Sequence, residues 1–369
     1  MKVPLVDLGW QHAEIADEVA AGLAAVMANT AFIQGPQVGE FESAFAEFCG
    51  VRNCVGVASG TDALELAVRA LGIGPGDEVI VPANSFIASA LGVIRAGAEV
   101  RLVDCDPETY LIDIAAVERA MGPRVKAMMP VHLFGQTAPI EDLENVAGEV
   151  AILEDAAQAQ GALRNGRPAG SLGRIAATSF YPGKNIGAYG DAGAVLTDDD
   201  DLAQMVRSLG NWGSPKKYHH PVIGFNSRLD TMQAVILNAK LHRLADWNKR
   251  RRVAAERYDE LLATFPGVTL PRVLDGNEHI WHLYVVRVPE RDRVAAAMHD
   301  EGIGVGIHYP IPMHLQGALS FLGHREGDFP ATETAAREML SLPMYPGITI
   351  EQQELVVVAL SRALSSIAG

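Results

Sequence analysis

Short apolar runs alternate with segments of helical periodicity from about residue 50 of the chain onward. The segments TDALELAVRALG (61–72) and FIASALGVIRAG (86–97) repeat apolar residues every three or four positions, which is typical of helices. Such alternation of strands and helices predicts a mostly parallel sheet that is covered by helices on both faces. The predicted strands are CVGVA (54–58), EVIVP (78–82), EVRLVD (99–104), VKAMMPVH (125–132), VAILED (150–155), ATSFY (177–181) and GAVLT (193–197).

The pattern changes after residue 228. Residues 228–265 contain no proline and many helix-forming residues, so they predict one long or bent helix. The run HIWHLYVVRV (279–288) then begins a second region of strand and helix that reaches the C-terminus. We therefore predict a large domain over residues 1–240, which includes an N-terminal segment, and a smaller C-terminal α/β domain over residues 241–369.

Composition and charge narrow the classes of partner. The 369 residues are 49% hydrophobic and carry a formal net charge of −15, which argues against nucleic acid because phosphate contacts need a basic face. An anionic small molecule stays possible, since a local basic pocket can lie on an acidic protein. No apolar run approaches the ~20 residues of a membrane span, and MKVPLVDLGWQH lacks the features of a secretory signal. Three scattered cysteines predict neither a disulfide framework nor a metal site, so we expect a cytoplasmic protein that has no membrane partner and no metal.

Two predicted strands end in groups that can bind a ligand. Ser59-Gly60-Thr61 follows a strand and starts a helix, where free backbone N–H groups suit a phosphate, although a plain helix cap is the commoner use of such residues. Asp155 ends the strand of ILEDAAQAQGA, at the sheet edge where ligands bind in open α/β sheets. Asp155 could cap a helix or hold a cationic ring nitrogen by a charge-assisted hydrogen bond.

Lys184 lies in a largely uncharged stretch, SFYPGKNIGAYGDAGAV (179–195). A nucleotide-phosphate loop is excluded there, because Thr178 stands where that motif needs glycine and Asn185 where it needs serine or threonine. Lys184 alone is either an ordinary loop lysine or a chemical group. Together, a phosphate cradle, a strand-end aspartate, a lysine and a preceding Ser179 fit pyridoxal 5'-phosphate, which needs an amine for its aldehyde and an acid for its ring nitrogen.

Many motifs in order along the chain carry a family resemblance. They include FIQGPQVGEFESAFAEFCG, SGTDAL, PANSFIAS, PVHLFGQ, EDAAQAQGA, GFNSRLDTMQAVIL, HYPIPMHLQ and LSLPMYP. The chain resembles the DegT/StrS group of nucleotide-sugar aminotransferases, which are fold-type I pyridoxal-phosphate enzymes. The resemblance implies a large domain with a mostly parallel seven-stranded sheet between helices, and a smaller C-terminal α/β domain.

The same resemblance assigns roles to residues of this chain. It implies that Lys184 forms the Schiff base with the cofactor and moves the substrate proton, that Asp155 contacts the pyridine nitrogen, and that Gln158 lies near the ring oxygen. It also implies phosphate contacts from Gly60, Thr61, Ser179 and, across a dimer interface, Asn226, ring stacking by Phe86, and sugar contacts from His308 and Tyr309. We further expect Tyr181, Lys216 and Lys217 to contact the substrate, the two lysines through its diphosphate.

Two positions depart from the wider group. Gly183 precedes the lysine where serine or threonine is frequent, and Gln160 stands where histidine is common. The motifs YPGKN, FNSRLD and HYPIP are most similar to the branch that aminates C3 of dTDP-3-keto-6-deoxyhexoses in deoxyamino-sugar biosynthesis. That resemblance implies L-glutamate as amino donor, a nucleotide-diphosphate keto-sugar as acceptor, and a homodimer with shared active sites.

Several alternatives stay open from the sequence. C4 amination of a nucleotide sugar and amination of a keto-cyclitol use the same residues. A sugar 3-dehydratase of this fold carries histidine in place of the lysine, so Lys184 argues against it. A regulatory protein on the same scaffold predicts loss of Lys184, Asp155 or Ser179, and all three are present.

Overall fold

A computed structural model describes residues 2–368. Seven strands form a central sheet: β1 (Asn53–Val57), β2 (Glu78–Pro82), β3 (Glu99–Val103), β4 (Val125–Met128), β5 (Ala151–Asp155), β8 (Ile175–Ser179) and β9 (Gly193–Thr197). Their order is β1-β9-β8-β5-β4-β2-β3, in which β9 runs antiparallel to both of its neighbours and the other pairs are parallel. This confirms the mostly parallel, seven-stranded sheet. The other strands of residues 2–368 lie outside this sheet and are β6 (Leu163–Arg164), β7 (Arg167–Pro168), β10 (Asn277–Glu278), β11 (Tyr284–Arg287) and β12 (Met339–Leu342).

Helices cover both faces of this sheet. The helices of residues 2–368 are α1 (Leu8–Ala13), α2 (Ala16–Asn29), α3 (Pro36–Cys49), α4 (Gly60–Ala70), α5 (Ala88–Arg95), α6 (Ile114–Ala120), α7 (Ile140–Ala147), α8 (Asp200–Gly210), α9 (Thr231–Leu262), α10 (Arg291–Asp300), α11 (Pro330–Glu338) and α12 (Ile350–Ala368). Helices α4, α5 and α8 share one apolar core with the sheet, and α3, α6, α7 and α9 form the cores on its other side. Among residues 2–368, no helix is both long and apolar enough to span a membrane.

Local capping residues fix where these helices begin. Ser59 ends the chain segment after β1 and its hydroxyl accepts a hydrogen bond from the Asp62 N–H at 3.1 Å, which starts α4. Asp199 accepts hydrogen bonds from the Asp201 and Leu202 N–H groups in the same way, so the acidic run TDDDD starts α8.

The long helix predicted after residue 228 is confirmed by α9, which spans 32 residues. Its second half packs with β11, β12, α10 and α12 in a separate apolar core, where β11 and β12 form an antiparallel pair. Helix α9 continues without a break across residue 240, so the predicted boundary between the domains lies inside a helix. The division at that residue stays a prediction.

Helix α9 places one arginine inside the protein. Arg251 is 2% exposed, and its guanidinium donates hydrogen bonds to the Trp281 and Met344 carbonyl groups at 3.0 Å each. Burial lowers the pKa of Arg251 to about 9. This side chain therefore joins α9 to the loops before β11 and after β12. Residues 249–252 are four consecutive cations, a pattern that predicts a solvated helix face, but Arg251 does not lie on such a face.

A fully buried carboxylate secures the end of β5. Glu154 accepts hydrogen bonds from His132 Nε2 at 2.8 Å and from three backbone N–H groups of the 170–173 loop at 2.7 to 2.8 Å. The Ala138 N–H donates to His132 Nδ1 at 3.0 Å, so the ring proton lies on Nε2 and points at the carboxylate. Although burial raises the pKa of Glu154, these hydrogen bonds hold it below its ordinary value. Because side chains alternate along a strand, the neighbouring Asp155 faces the other way.

Glu154→Gln is expected to lower the melting temperature at pH 7 by roughly 5–10 °C, because the amide keeps only one of the two acceptor oxygens and the two buried donors on the other are left unpaired. The pKa of Glu154 is lower in the folded chain than in the unfolded chain, so its stabilisation is complete above the ordinary glutamate pKa of about 4.3. It is lost as the pH falls through the lower folded value. Thermal denaturation followed by circular dichroism from pH 7 to pH 3 measures both effects.

The control is Glu144→Gln, which changes an exposed carboxylate on α7. It should leave the melting temperature unchanged at both ends of that pH range. A Glu154→Gln protein that melts together with the wild type at pH 7 would contradict the role of this carboxylate.

Candidate active site

A cavity of about 440 Å³ opens at the carboxyl edge of the central sheet. The segments after β1 and β2 and the ends of β5 and β8 contribute side chains to it, as expected where ligands bind in open α/β sheets. The predicted site residues that line it are Gly60, Thr61, Phe86, Asp155, Gln158, Ser179, Tyr181, Lys184, His308 and Tyr309. The fold therefore brings together ten of the side chains that the sequence analysis names.

Asp155 ends β5 and is 4% exposed. Its carboxylate accepts a hydrogen bond from Ser89 Oγ at 2.7 Å and another from the Ala157 N–H at 3.2 Å. Burial raises the pKa of Asp155, while the Ser89 hydroxyl, the Ala157 N–H and the positive charge of Lys184 oppose that rise. Asp155 also lines the cavity, so the acceptor capacity that these two donors leave free is available to a ligand there.

Lys184 lies on the turn that follows β8, and its backbone N–H donates to the Tyr181 carbonyl group at 2.8 Å. The side chain is half-buried and lines the cavity. Burial lowers the pKa of the Lys184 amine to about 8, and the nearby Asp155 carboxylate opposes this shift. A lysine in these surroundings supplies a neutral, nucleophilic amine near neutral pH far more readily than an exposed one.

Helix α9 holds the turn that carries Lys184. Asn185 is buried, and its amide donates to Asn248 Oδ1 at 2.8 Å and to the Ile280 carbonyl group at 3.2 Å. Two residues further along, the Gly187 carbonyl group accepts a hydrogen bond from the buried Lys240 ammonium at 2.5 Å. The segment that directly follows Lys184 is therefore fixed by polar side chains on the buried face of one helix.

The start of α4 and the end of β8 form a narrow cradle. A Cβ atom added to Gly60 would lie 2.5 Å from the Ser179 Cβ and 3.0 Å from its hydroxyl oxygen, so only glycine fits at this position. The first N–H groups of an α-helix have no partner within the helix, and here they start beside the Ser179 hydroxyl. Because the positive end of the helix dipole is at the same place, the cradle suits a phosphate group.

Aromatic and amide side chains form the wall opposite the cradle. The rings of Phe86 and Tyr309 lie with their centroids 5.5 Å apart, and Phe86 is 53% exposed. Gln158 donates to the Tyr309 hydroxyl at 3.1 Å and accepts from the Phe134 N–H at 2.6 Å, which orients its amide. A flat ring can therefore stack on Phe86 while Gln158 stays fixed at its edge.

Two histidines complete the cavity lining. His308 contacts Ser341 Oγ through Nδ1 at 2.8 Å, and burial together with Lys184 lowers its pKa to about 4. His282 contacts Asn185 Oδ1 at 3.1 Å, and burial followed by the charge of Lys184 holds its pKa well below the usual range. Both imidazoles are therefore neutral at pH 7 and act as hydrogen-bonding groups in the pocket.

Gln160, which departs from the resembled motif, links the two strand ends. Its amide nitrogen lies 2.9 Å from both Thr178 Oγ1 and the Ser179 carbonyl oxygen, and 3.1 Å from the Ala157 carbonyl oxygen. The side chain is 3% exposed and does not line the cavity. Glutamine at this position thus joins the Asp155 turn to the Ser179 strand without entering the site.

Three predicted site residues lie outside this cavity. Lys216 and Lys217 are exposed on a hairpin over residues 211–226, which we call the basic hairpin. Asn226 ends that hairpin and lines a second cleft of about 310 Å³. Asp191 lines both the cavity and the second cleft, so the two openings are neighbours on the surface.

Ser85, Ser89 and His282 also belong to the site, although no motif predicts them. Ser85 and Ser89 line the cavity beside Asp155, and their spacing of four residues at the start of a predicted helix is a signal that the sequence carries. His282 has no such signal, because its partner Asn185 lies 97 residues away in the chain.

The residues of the cavity fit pyridoxal 5'-phosphate. The Gly60 cradle, which a Cβ atom would fill, matches the phosphate, and the buried Asp155 carboxylate matches a protonated ring nitrogen. The desolvated Lys184 amine matches an aldehyde. No group of three or more histidine, cysteine, aspartate or glutamate residues between 2 and 368 is arranged to hold a metal ion.

Comparisons with known proteins agree with this geometry. A dTDP-3-amino-3,6-dideoxy-alpha-D-galactopyranose transaminase of Aneurinibacillus thermoaerophilus is 44% identical over 98% of this chain and 99% of its own length. The crystal structure of DesV from S. venezuelae is 43% identical and superposes with a TM-score of 0.95 over 98% of both chains. The structure of ntda from Bacillus subtilis with bound cofactor PMP is 32% identical, with a TM-score of 0.88 over 95% of this chain and 82% of that one.

The similarity covers nearly the whole chain, including all of the residues that line the cavity and that the sequence predicts for the site. The model of the DegT/DnrJ/EryC1/StrS aminotransferase family matches residues 13–361, a range that contains every predicted site residue. The chain therefore belongs to the DegT/DnrJ/EryC1/StrS aminotransferase family.

Proposed function

We propose that this protein is a pyridoxal 5'-phosphate-dependent aminotransferase that moves an amino group from L-glutamate to C3 of a dTDP-3-keto-6-deoxyhexose in deoxyamino-sugar biosynthesis. The observation that carries the proposal is the desolvated Lys184 amine, which shares one cavity with the buried Asp155 carboxylate and the Gly60 cradle. The name of the transaminase relative from Aneurinibacillus thermoaerophilus, which concerns a 3-amino dTDP-sugar, supports the choice of substrate.

Each part of the cavity has a proposed task. The backbone at Gly60 and Thr61 and the Ser179 hydroxyl hold the phosphate, while Asp155 accepts a hydrogen bond from the ring nitrogen. Phe86 stacks on the ring and Gln158 lies at the ring oxygen. When bound, pyridoxal phosphate supplies an aldehyde that condenses with amines and a cationic ring that withdraws electrons from the substrate carbon.

Lys184 is the proposed proton carrier. An amine with a pKa of about 8 is partly neutral near pH 7.5, so Lys184 Nζ can accept a proton from the amino-bearing carbon of the donor. The protonated amine is then close enough to the Asp155 charge to be stabilised, and it can return the proton elsewhere in the site. The half-buried position of Lys184 limits exchange of that proton with water.

The proposed substrate site lies beside the two histidines. His308, Tyr309 and Tyr181 line the cavity, and their side chains can exchange hydrogen bonds with the hydroxyl groups of a sugar. The nucleotide diphosphate needs cations, and Lys216 and Lys217 on the basic hairpin are the proposed source. Residues 202–229, which include this hairpin, contain no aspartate or glutamate in a chain whose net charge is −15.

The position of the basic hairpin supports a homodimer with shared active sites. Tyr218 is 82% exposed and Ile223 is 93% exposed, and such apolar side chains are typical of a surface that another chain covers. In the proposed dimer, the hairpin delivers Lys216 and Lys217 to the partner subunit's cavity, and Asn226 reaches the phosphate there. The three cysteines are buried and free, which supports the proposed cytoplasmic setting.

In protein freed of cofactor, labelling of Lys184 by an amine-selective reagent should reach half of its maximal rate near pH 8, because only the neutral amine reacts and burial lowers its pKa to about 8. Peptide mapping by mass spectrometry across pH 6–11 measures this titration. The exposed Lys249 is the control, and its labelling is followed in the same samples at every pH. Equal profiles for the two lysines would contradict the desolvation of Lys184.

Lys184→Ala should lower the rate of transamination by roughly 10³-fold or more, since it removes both the nucleophile and the proton carrier. Borohydride reduction of the wild-type protein should attach the cofactor to the peptide that contains Lys184. Lys249→Ala, on the exposed side of α9, should keep the wild-type rate. A Lys184→Ala protein with normal turnover would overturn the assignment.

The experiment that tests the substrate is an incubation with ¹⁵N-labelled L-glutamate and a panel of 3-keto and 4-keto sugar nucleotides and keto-cyclitols. We expect ¹⁵N to appear at C3 of a dTDP-linked 6-deoxyhexose, as identified by mass and NMR. Amination at C4, or of a cyclitol only, would replace the proposed substrate with the corresponding alternative. Failure to aminate any member of the panel while glutamate is consumed would reject a sugar acceptor.

A further inference from the structure

Two serine hydroxyls form a chain that ends on Asp155. Ser89 Oγ lies 2.7 Å from Asp155 Oδ2, and Ser85 Oγ lies 2.7 Å from Ser89 Oγ. The two serines are 1% and 6% exposed. An ionised carboxylate can only accept hydrogen bonds, so Ser89 donates its single proton to Asp155 and must accept from Ser85. The chain therefore has one direction, from Ser85 through Ser89 to the carboxylate.

The local backbone places these hydroxyls without strain. Ser85 and Ser89 are four residues apart where α5 begins, and the Ser89 N–H donates to the Phe86 carbonyl group at 3.1 Å. Ser85 lies in the bend before α5 and Ser89 lies in the first turn of that helix, and their 2.7 Å contact places both hydroxyls on the same side. The positive end of α5 points in the same direction, toward the carboxyl edge of the sheet.

Few other groups can hold the charge of this carboxylate. The titratable groups near Asp155 are Lys184, His132 and Tyr309, and the remaining hydrogen bond comes from the Ala157 N–H at 3.2 Å. Once Lys184 is engaged with the cofactor, its charge no longer belongs to an ammonium beside Asp155. The Ser89 hydroxyl then makes the shorter of the two hydrogen bonds that the protein still donates to the carboxylate.

We propose that Ser85 and Ser89 act as a hydroxyl relay that keeps Asp155 ionised and oriented toward the ring-nitrogen position of the cofactor site. The proposal rests on the function proposed above, because the relay matters through the ring that Asp155 contacts. Ser89 and Ser85 are positioning residues, since they act through Asp155 and not on the reacting atoms. Burial opposes ionisation of Asp155 and the Ser89 hydroxyl favours it, in agreement with this role.

The relay makes a graded and non-additive prediction. Ser89→Ala removes a hydrogen bond to a buried charge and should weaken pyridoxal phosphate binding about 10-fold. Ser85→Ala should weaken cofactor binding less, because the Ser85 hydroxyl acts only by polarising the Ser89 hydroxyl. The double variant should match Ser89→Ala, since Ser85 has no path to Asp155 once Ser89 is gone.

A spectroscopic readout separates this role from a merely structural one. In the holoenzyme, the pH midpoint of the visible-absorbance change should rise by roughly 0.5–1 pH unit in Ser89→Ala, because a ring with less positive charge lets the chromophore hold its proton more tightly. Ser89→Thr keeps the hydroxyl and should restore the wild-type midpoint. Ser208→Ala is the matched control, a buried serine on α8 outside the cavity.

The measurements are the cofactor dissociation constant and the absorbance titration for all of these holoproteins. Unchanged binding and midpoint in Ser89→Ala, or additive losses in the double variant, would overturn the relay while the proposed function stands. A wild-type protein that binds no pyridoxal phosphate overturns the proposed function and the relay with it. If Ser89→Ala yields too little folded protein, Ser85→Ala carries the test, and a wild-type midpoint there rejects the relay.

Discussion

The removal of water from two opposite charges at one edge of the sheet is the constraint on which the rest of the site depends. Asp155 is buried at the end of β5, and Lys184 is half-buried on the turn after the neighbouring β8. Burial works against the charged form of both, raising the pKa of the carboxyl and lowering the pKa of the amine to about 8. Each charge stabilises the ionised form of the other, so the fold needs further polar groups to keep the two side chains apart and in place. The serine hydroxyls behind Asp155 and the amide of Asn185 beside Lys184 are those groups.

Helix α9 supplies the polar groups that hold the lysine turn. Lys240, Asn248 and Arg251 lie on its buried side and bond, in that order, to the Gly187 carbonyl group, to the Asn185 side chain, and to the loops around β11 and β12. Burial lowers the pKa of Lys240 to about 8. A buried cation costs free energy unless carbonyl groups or aromatic rings solvate it, and here the Gly187 carbonyl and the Tyr189 ring do so. The helix thus joins the lysine turn to the second core through side chains that a purely apolar helix would lack.

Much of the fold and the centre of the site follow from local patterns. Seven apolar runs locate the seven strands, and strand ends locate Asp155 and Ser179, because the carboxyl ends of parallel strands share one edge. What the sequence could not reveal depends on contacts between distant residues. Arg251 stands in a run of cations that is typical of a solvated face, and only the packing of α9 shows that it is buried. The predicted strand VKAMMPVH ends at Met128, because Pro130 cannot donate to a ladder. The roles of Lys216, Lys217 and Asn226 concern a second subunit, about which a single chain carries only indirect signals.

The bonds from α9 to the lysine turn also determine when the site can form during synthesis of the chain. Asn248 follows its partner Asn185 by 63 residues, and Lys240 follows its partner Gly187 by 53 residues. A nascent chain that has emerged only as far as β9 contains Lys184, Asp155 and the phosphate cradle. It still lacks the side chains of α9 that bond to Asn185 and Gly187. Because domains fold as units during translation, the ribosome must release α9 before Lys184 reaches its final position. The lysine turn can therefore be held in place only in a chain that already contains about two-thirds of its residues.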